Sequence, residues 1–76
     1  MNFKKILETV IFRQICDHYN YDPDDIDLIR SYIYQTAIDD SNMFSFQMLI
    51  TDVRNSVEWN VNGVIVDGLV IIRSRD

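Results

Sequence analysis

The chain has 76 residues, of which 47% are hydrophobic and 25% are charged, and it contains only two glycines and one proline. This composition predicts one small packed domain and excludes an intrinsically disordered chain. The single cysteine excludes an internal disulfide, and no apolar run nears the roughly 18 residues of a membrane span, so a cytoplasmic protein without membrane contact is expected.

The net charge of −5 is concentrated in one segment of the chain, residues 17 to 40. This segment is −6 because it holds seven aspartates and one arginine, whereas the rest of the chain sums to +1. The aspartates are Asp17, Asp22, Asp24, Asp25, Asp27, Asp39 and Asp40. Such a patch repels phosphate backbones and attracts basic partners, although acidic residues also collect at helix starts for local reasons.

A first helix is predicted for residues 3 to 19. Apolar residues at helical spacing give it an inward stripe of Phe3, Leu7, Val10, Ile11 and Ile15. A second stripe, on a different side of the same helix, consists of Phe12, Cys16 and Tyr19. A helix that is apolar on two sides must be covered on two sides, either by the carboxyl-terminal strands or by another molecule.

A second helix is predicted for residues 23 to 38, because Asp22 followed by Pro23 is a strong helix start. Asp24, Asp25 and Asp27 then fall near the first turn, where the helix dipole favours negative charge. The expected inward stripe is Ile26, Ile29, Ile33 and Ala37, broadened by Leu28, Tyr32 and Tyr34. The turn-forming residues 39 to 42 should end this helix.

Residues 44 to 57 allow two interpretations. A helix would place on one face Phe46, Leu49, Ile50, Val53 and Val57. A strand would instead alternate apolar and polar positions, with Phe44, Phe46, Met48 and Ile50 on one side. The helix accounts for a longer stretch and is the preferred interpretation, with a start at Ser45.

The last element predicted is a β-hairpin at residues 63 to 73, around the Asp67-Gly68 turn. Asn62-Gly63 is a competing turn, and its use would make a strand of the residues around Trp59. The predicted fold class is therefore α+β, with three helices followed by a carboxyl-terminal hairpin. The alternative is two helices packed on a three-stranded antiparallel meander.

No set of residues in the sequence indicates catalysis, a metal or a cofactor. Counted from Asp22, a calcium loop would need a glycine at the sixth place, where Asp27 stands, and a glutamate at the twelfth, where Ile33 stands. Cys16 and His18 are two residues apart and point in different directions on a helix, so they cannot pair as nucleophile and base. We expect a protein that is not an enzyme.

The order of three helices and a hairpin resembles the winged-helix family over most of the chain, in element order alone. The resemblance implies a nucleic-acid-binding regulator whose helix at 45 to 57 reads the major groove. That helix would offer Gln47, Arg54 and Asn55, offset by Asp52, and so few cations argue against nucleic acid as the partner. The short strand that the family has between its first two helices is also missing.

Recognition of another protein fits the composition better. Four tyrosines, four phenylalanines and one tryptophan are many for this length, and such side chains anchor interfaces. Candidate partner-binding residues are Phe12, Cys16, Tyr19 and Tyr32, with the acidic residues Asp22, Asp24, Asp25 and Asp27. The same aromatic residues are compatible with a homodimer.

We therefore expect a non-enzymatic regulator or inhibitor that binds a protein with a basic surface. In size, acidity and lack of catalytic groups the chain is similar to small phage-encoded proteins that block host machinery. Within that class, mimicry of DNA by the carboxylates is the alternative mode of inhibition.

Overall fold

A computed structural model describes residues 3–35 and 43–76. Within these ranges the fold is one helix followed by four strands, which form an antiparallel sheet in the order β1-β2-β3-β4. The elements are α1 (Phe3–Tyr19), a short 3-10 turn (Pro23–Asp25), β1 (Ile26–Gln35), β2 (Met43–Asp52), β3 (Val57–Val66) and β4 (Leu69–Arg75). Both predicted architectures, the three helices with a hairpin and the two helices on a three-stranded meander, are therefore wrong.

The first helix has the predicted bounds but a different orientation. Ile11, Ile15 and Cys16 are buried, whereas Phe3 and Val10, predicted to point inward, are exposed. The buried side of α1 therefore includes Leu7, Ile11 and Ile15 from the predicted inward stripe. It also includes Phe12, Cys16 and Tyr19 from the second stripe, because these residues pack in or against the core. The sheet therefore covers the central part of the inward stripe together with the second stripe.

The predicted second helix is wrong beyond its first turn. Asp22 does cap a helical start, but the helix is a single 3-10 turn that ends at Asp25, and β1 follows at once. A β-bulge between Leu28 and Arg30 shifts the register of β1 against β2. The predicted position of Ala37 and the turn at residues 39 to 42 lie outside the described residues.

The predicted third helix is also wrong, and the strand interpretation describes this segment. Phe46, Met48, Ile50 and Asp52 are buried at alternate positions of β2, which is the two-residue period of a half-covered strand. The helix that would have read a DNA groove in the winged-helix resemblance does not exist. That resemblance therefore has no structural support.

The carboxyl-terminal hairpin is confirmed at its turn. Asp67 and Gly68 have φ of 50° and 81°, the positive values that the tight two-residue turn between β3 and β4 requires. The competing Asn62-Gly63 pair lies inside β3, which begins at Val57 and so is longer than predicted. Gly63 is needed there for space, because a Cβ atom would lie 2.6 Å from the ring of Phe46.

The core lies between α1 and one face of the sheet. It is formed by Ile11, Ile15, Cys16, Ile26, Phe46, Met48, Ile50, Val61 and Ile65. Glu8 on the helix accepts a hydrogen bond of 2.7 Å from the Ser31 hydroxyl on β1 and thereby joins the two layers. Among the described elements, none lies over the opposite face of the sheet.

Candidate functional site

The aspartates that follow α1 mainly organise the backbone around the 3-10 turn. The Asp22 carboxylate accepts a hydrogen bond of 3.0 Å from the amide of Asp24, and the Asp22 carbonyl accepts one of 2.9 Å from the amide of Asp25. Asp25 also forms an ion pair of 3.8 Å with Arg54, which is largely exposed. Asp24 and Asp27 remain exposed to solvent. Of these four candidate residues, Asp22 and Asp25 line one cavity together with Tyr19, whereas Asp24 and Asp27 do not.

A further carboxylate, Asp52, lies beside this turn at the end of β2. It accepts hydrogen bonds from the Asn55 side chain at 2.8 Å and from the Asn55 amide at 3.1 Å. The hydrogen bonds from Asn55 lower the pKa of Asp52, and the nearby Arg54 adds a smaller effect in the same direction. Asp52 thus closes the turn between β2 and β3, and its position was missed because the segment was assigned to a helix.

The predicted second stripe of α1 is only partly exposed. Cys16 is buried, and Phe12 and Tyr19 are half-buried against the core. Burial raises the pKa of the Cys16 thiol, and the negative charges of Asp17 and Asp22 raise it further. His18 packs edge-to-face on Tyr19, with ring centroids 4.7 Å apart.

A further candidate surface is the face of the sheet opposite α1, which we call the open face. The pairing of the strands places residues of neighbouring strands side by side, in rows that cross this face. One row consists of Tyr34, Ser45, Val64 and Ile71. Flanking rows contain Tyr32, Gln47, Asn62 and Ser74 on one side and Met43, Val66 and Leu69 on the other. None of the side chains in these three rows carries a charge.

The open face is exposed mainly along its two edges, since Val64 at its centre is only 6% exposed. Tyr32 is 51% exposed and Tyr34 57%, and at the opposite edge Leu69 is 65% and Ile71 41% exposed. Of these four residues only Tyr32 was a predicted contact residue. The alternation in "SYIY" at 31 to 34 is a strand signal that could have indicated Tyr34.

A small cavity of about 140 Å³ opens on the same face next to Tyr32. It is lined by Arg30, Tyr32, Gln47, Leu49 and Asn60. The Asn60 side-chain oxygen is buried, and no group in the described part of the chain donates a hydrogen bond to it.

Within residues 3–35 and 43–76, no three His, Cys, Asp or Glu side chains lie close enough to hold a metal ion. The described helix is also too short and too polar to cross a membrane. No protein-family model, no curated protein and no solved structure shows a significant match to this chain.

Proposed function

We propose that the chain is a non-enzymatic regulator or inhibitor that binds a protein partner through the open face of its sheet. The observation that carries the proposal is the pair of exposed tyrosines, Tyr32 and Tyr34, on one edge of this face, with exposed Leu69 and Ile71 on the other edge. Exposed apolar patches of this kind mark interaction sites in small proteins. A sheet face held by three antiparallel pairings is also a rigid support for such a site.

The two tyrosines are suited to anchor this contact. Each presents a large ring at low conformational cost and keeps a hydroxyl that can hydrogen-bond at the rim. Tyr32 lines the cavity, so a partner side chain placed there would contact its ring. The partner that fits best therefore has an apolar patch.

Long-range electrostatics favour a partner with a basic surface. Residues 17 to 40 carry a net charge of −6. Within this segment, Asp27 lies on β1, three residues before Arg30. Exposed carboxylates near the rim of an interface accelerate association with a positive surface more than they tighten the final complex. The acidic residues are thus assigned to attraction of the partner and the open face to its binding.

The state of the nucleophilic side chains supports a role without catalysis. The Cys16 thiol is buried with a raised pKa, so the reactive thiolate is disfavoured. His18 lies at the carboxyl-terminal end of α1 and packs against Tyr19. The side chains of His18 and the neighbouring Asp17 are both exposed. A protein-binding role requires neither group.

The test compares two matched surfaces of the same protein. The variant Tyr32→Ser/Tyr34→Ser removes the anchors of the open face, and Ile6→Ser/Val10→Ser removes exposed apolar groups from the outer side of α1. Partners captured from a lysate of the source or its host are identified, purified and titrated against both variants. We expect the open-face variant to lose at least about tenfold in affinity and the helix variant to bind like the parent chain.

Backbone NMR then maps the surface directly. Amide shifts on addition of the partner should cluster on β1 and β2 around the two tyrosines. Unchanged affinity of the open-face variant, or shifts confined to α1, would refute the proposed function.

A further inference from the structure

Asn62 is followed by Gly63, the neighbour that leaves an asparagine side-chain amide most open to attack by the main chain. Glycine has no side chain to shield its main-chain nitrogen. Packing imposes this glycine, since a Cβ atom there would lie 2.6 Å from the ring of Phe46 and would overlap the Ile71 carbonyl. The fold therefore requires a chemically labile pair in the middle of β3.

We propose that Asn62 is a deamidation site that the folded sheet protects and that reacts when unfolding releases β3. In the reaction the Gly63 nitrogen attacks the side-chain carbonyl carbon of Asn62 and closes a succinimide ring. The bond from that carbon to the side-chain nitrogen breaks, and the proton of the Gly63 amide passes to the leaving nitrogen, which departs as ammonia. Water then opens the ring to aspartate or isoaspartate, without oxidation or reduction.

The Gly63 amide is directed toward β2 in the folded chain. Asn60 exchanges two main-chain hydrogen bonds of 2.9 Å with Asp76, so its main-chain groups point to the β4 side. Main-chain groups alternate in direction along a strand, and β3 pairs with β2 without a register shift. Gly63, three residues after Asn60, therefore directs its N–H toward its partner Phe46 on β2.

This geometry keeps the two reacting groups apart. The Asn62 side chain stands away from the sheet on the open face and donates a hydrogen bond of 3.5 Å to the Ser74 hydroxyl, whereas the Gly63 N–H lies in the plane of the ladder. Ring closure needs the nitrogen to leave the ladder and the backbone to leave its extended angles. Because β3 lies between β2 and β4, this change requires separation from β2 and loss of the core.

The reaction would change the chain permanently. Either product places a carboxylate in the row that contains Tyr32, Gln47 and Ser74, whose side chains carry no charge. Isoaspartate also adds one carbon atom to the main chain, which disturbs the alternation of a strand paired on both sides. A chain that has unfolded and formed isoaspartate therefore cannot restore a regular β3. The proposal is independent of the function assigned to the open face.

Peptide mapping by mass spectrometry tests the site. The parent chain is kept at mildly alkaline pH with and without denaturing guanidinium chloride, and deamidation at each asparagine is followed. In denaturant we expect Asn62 to react faster than Asn60, because the side chain of Val61 shields the next main-chain nitrogen. Without denaturant the reaction at Asn62 should be at least about tenfold slower, since only the small unfolded fraction reacts. Equal rates in the two conditions, or equal rates at the two asparagines in denaturant, would overturn the proposal.

Two variants of α1 test the control by unfolding. Ile11→Ala removes a fully buried side chain, and Val10→Ala removes an exposed one. Without denaturant, Ile11→Ala should speed the reaction at Asn62 at least about tenfold, up to the rate of the denatured parent, because it raises the unfolded fraction. Val10→Ala should leave the rate unchanged. A rate that Ile11→Ala does not alter would show that the folded sheet itself reacts, and would refute the proposed protection.

Asn62→Asp separates the new charge from the altered main chain. This variant carries the carboxylate on an ordinary backbone and should unfold at nearly the parent midpoint, because the side chain lies on the open face. Chains that have formed isoaspartate in denaturant should refold to a lower midpoint than Asn62→Asp. Equal midpoints would contradict the expected damage to β3. Because these measurements use the chain alone, they separate this proposal from partner binding by Tyr32 and Tyr34.

Discussion

The guanidinium of Arg75 lies over the ring of Trp59, with its central carbon 4.0 Å from the ring centroid. The same group lies 4.5 Å from the centroid of Tyr19 at the end of α1 and donates a hydrogen bond to the Tyr21 hydroxyl. Arg75 thus joins the last strand to the end of the helix and to the segment that follows it. Its contacts connect parts of the chain that are far apart in sequence.

Replacement of this arginine should loosen that junction. We expect Arg75→Gln to lower the free energy of unfolding by about 1 kcal/mol, since a cation stacked on aromatic rings near the surface contributes about that much. Arg75→Lys should retain part of the effect because it keeps the charge without the planar group. Urea unfolding followed by the emission of Trp59, the single tryptophan, measures both.

Arg13→Gln, at an exposed position of α1, is the matched control for loss of a positive charge. Equal unfolding midpoints for the Arg13 and Arg75 variants would contradict the proposed role of the stacked guanidinium.

Acid should destabilise the fold in part through Asp52. Because the hydrogen bonds from Asn55 lower the pKa of this carboxyl in the folded state, its contribution to stability is fully present above the ordinary value of 3.8. The contribution is lost as the pH falls from 3.8 through the lower pKa of the folded state. In Asn55→Ala the folded pKa should rise toward 3.8, and the acid-dependent loss of stability should become smaller.

Carbon-detected NMR titration of the Asp52 carboxyl gives its pKa directly, and urea midpoints at several pH values give the stability. Asp24→Asn, which removes an exposed carboxylate, serves as the comparison. An unchanged titration of Asp52 in Asn55→Ala would show that these hydrogen bonds do not hold the carboxylate.

The two glycines should respond differently to alanine. In Gly63→Ala the new methyl group would overlap the Ile71 carbonyl and lie 2.6 Å from the Phe46 ring, so we expect a loss of about 1–3 kcal/mol from overpacking. Around Gly68 there is open space, and the cost of alanine there comes from its φ of +81°, on the order of 1 kcal/mol.

Thermal and urea unfolding of both glycine variants would measure these losses. A Gly63→Ala chain as stable as the parent would mean that β2 and β3 are not packed as closely as described.

The orientation of α1 can be tested with two adjacent residues. Ile11 is fully buried and Val10 is 43% exposed. Ile11→Ala should therefore cost about 2–5 kcal/mol, whereas Val10→Ala should change the stability by less than about 0.5 kcal/mol. Unfolding midpoints in urea provide the comparison, and similar losses for both variants would imply a helix rotated toward the orientation expected from sequence.

The error over the second helix has a specific physical cause. Strict alternation would place Ile26 and Ile33, seven residues apart, on opposite faces of a strand, and this spacing suits a helix. The bulge between Leu28 and Arg30 inserts one residue, so Ile26, Leu28 and Ile33 all pack toward the core. A bulge forms between two paired strands, and the pattern of one strand alone does not show it.

The third helix was preferred because a helical spacing from Phe46 to Val57 covered more residues than the alternation from Phe44 to Ile50. In the structure the chain turns after Asp52, so the longer pattern spans a strand, a turn and the start of another strand. The packing of Phe12 and Tyr19 against the core was likewise not expected from the sequence, since the sheet that they contact was not predicted.

Local interactions were sufficient for the sequence alone to determine the bounds of α1, the cap at Asp22 and the turn at Asp67-Gly68. In each of these the relevant hydrogen bonds and backbone angles involve residues a few positions apart. Only the tertiary structure decided that residues 26 to 35 and 43 to 52 are strands, which side of α1 is buried, and which sheet face is left uncovered. Those outcomes depend on cross-strand pairing and on a shared core, and their free energy comes from residues distant in the chain.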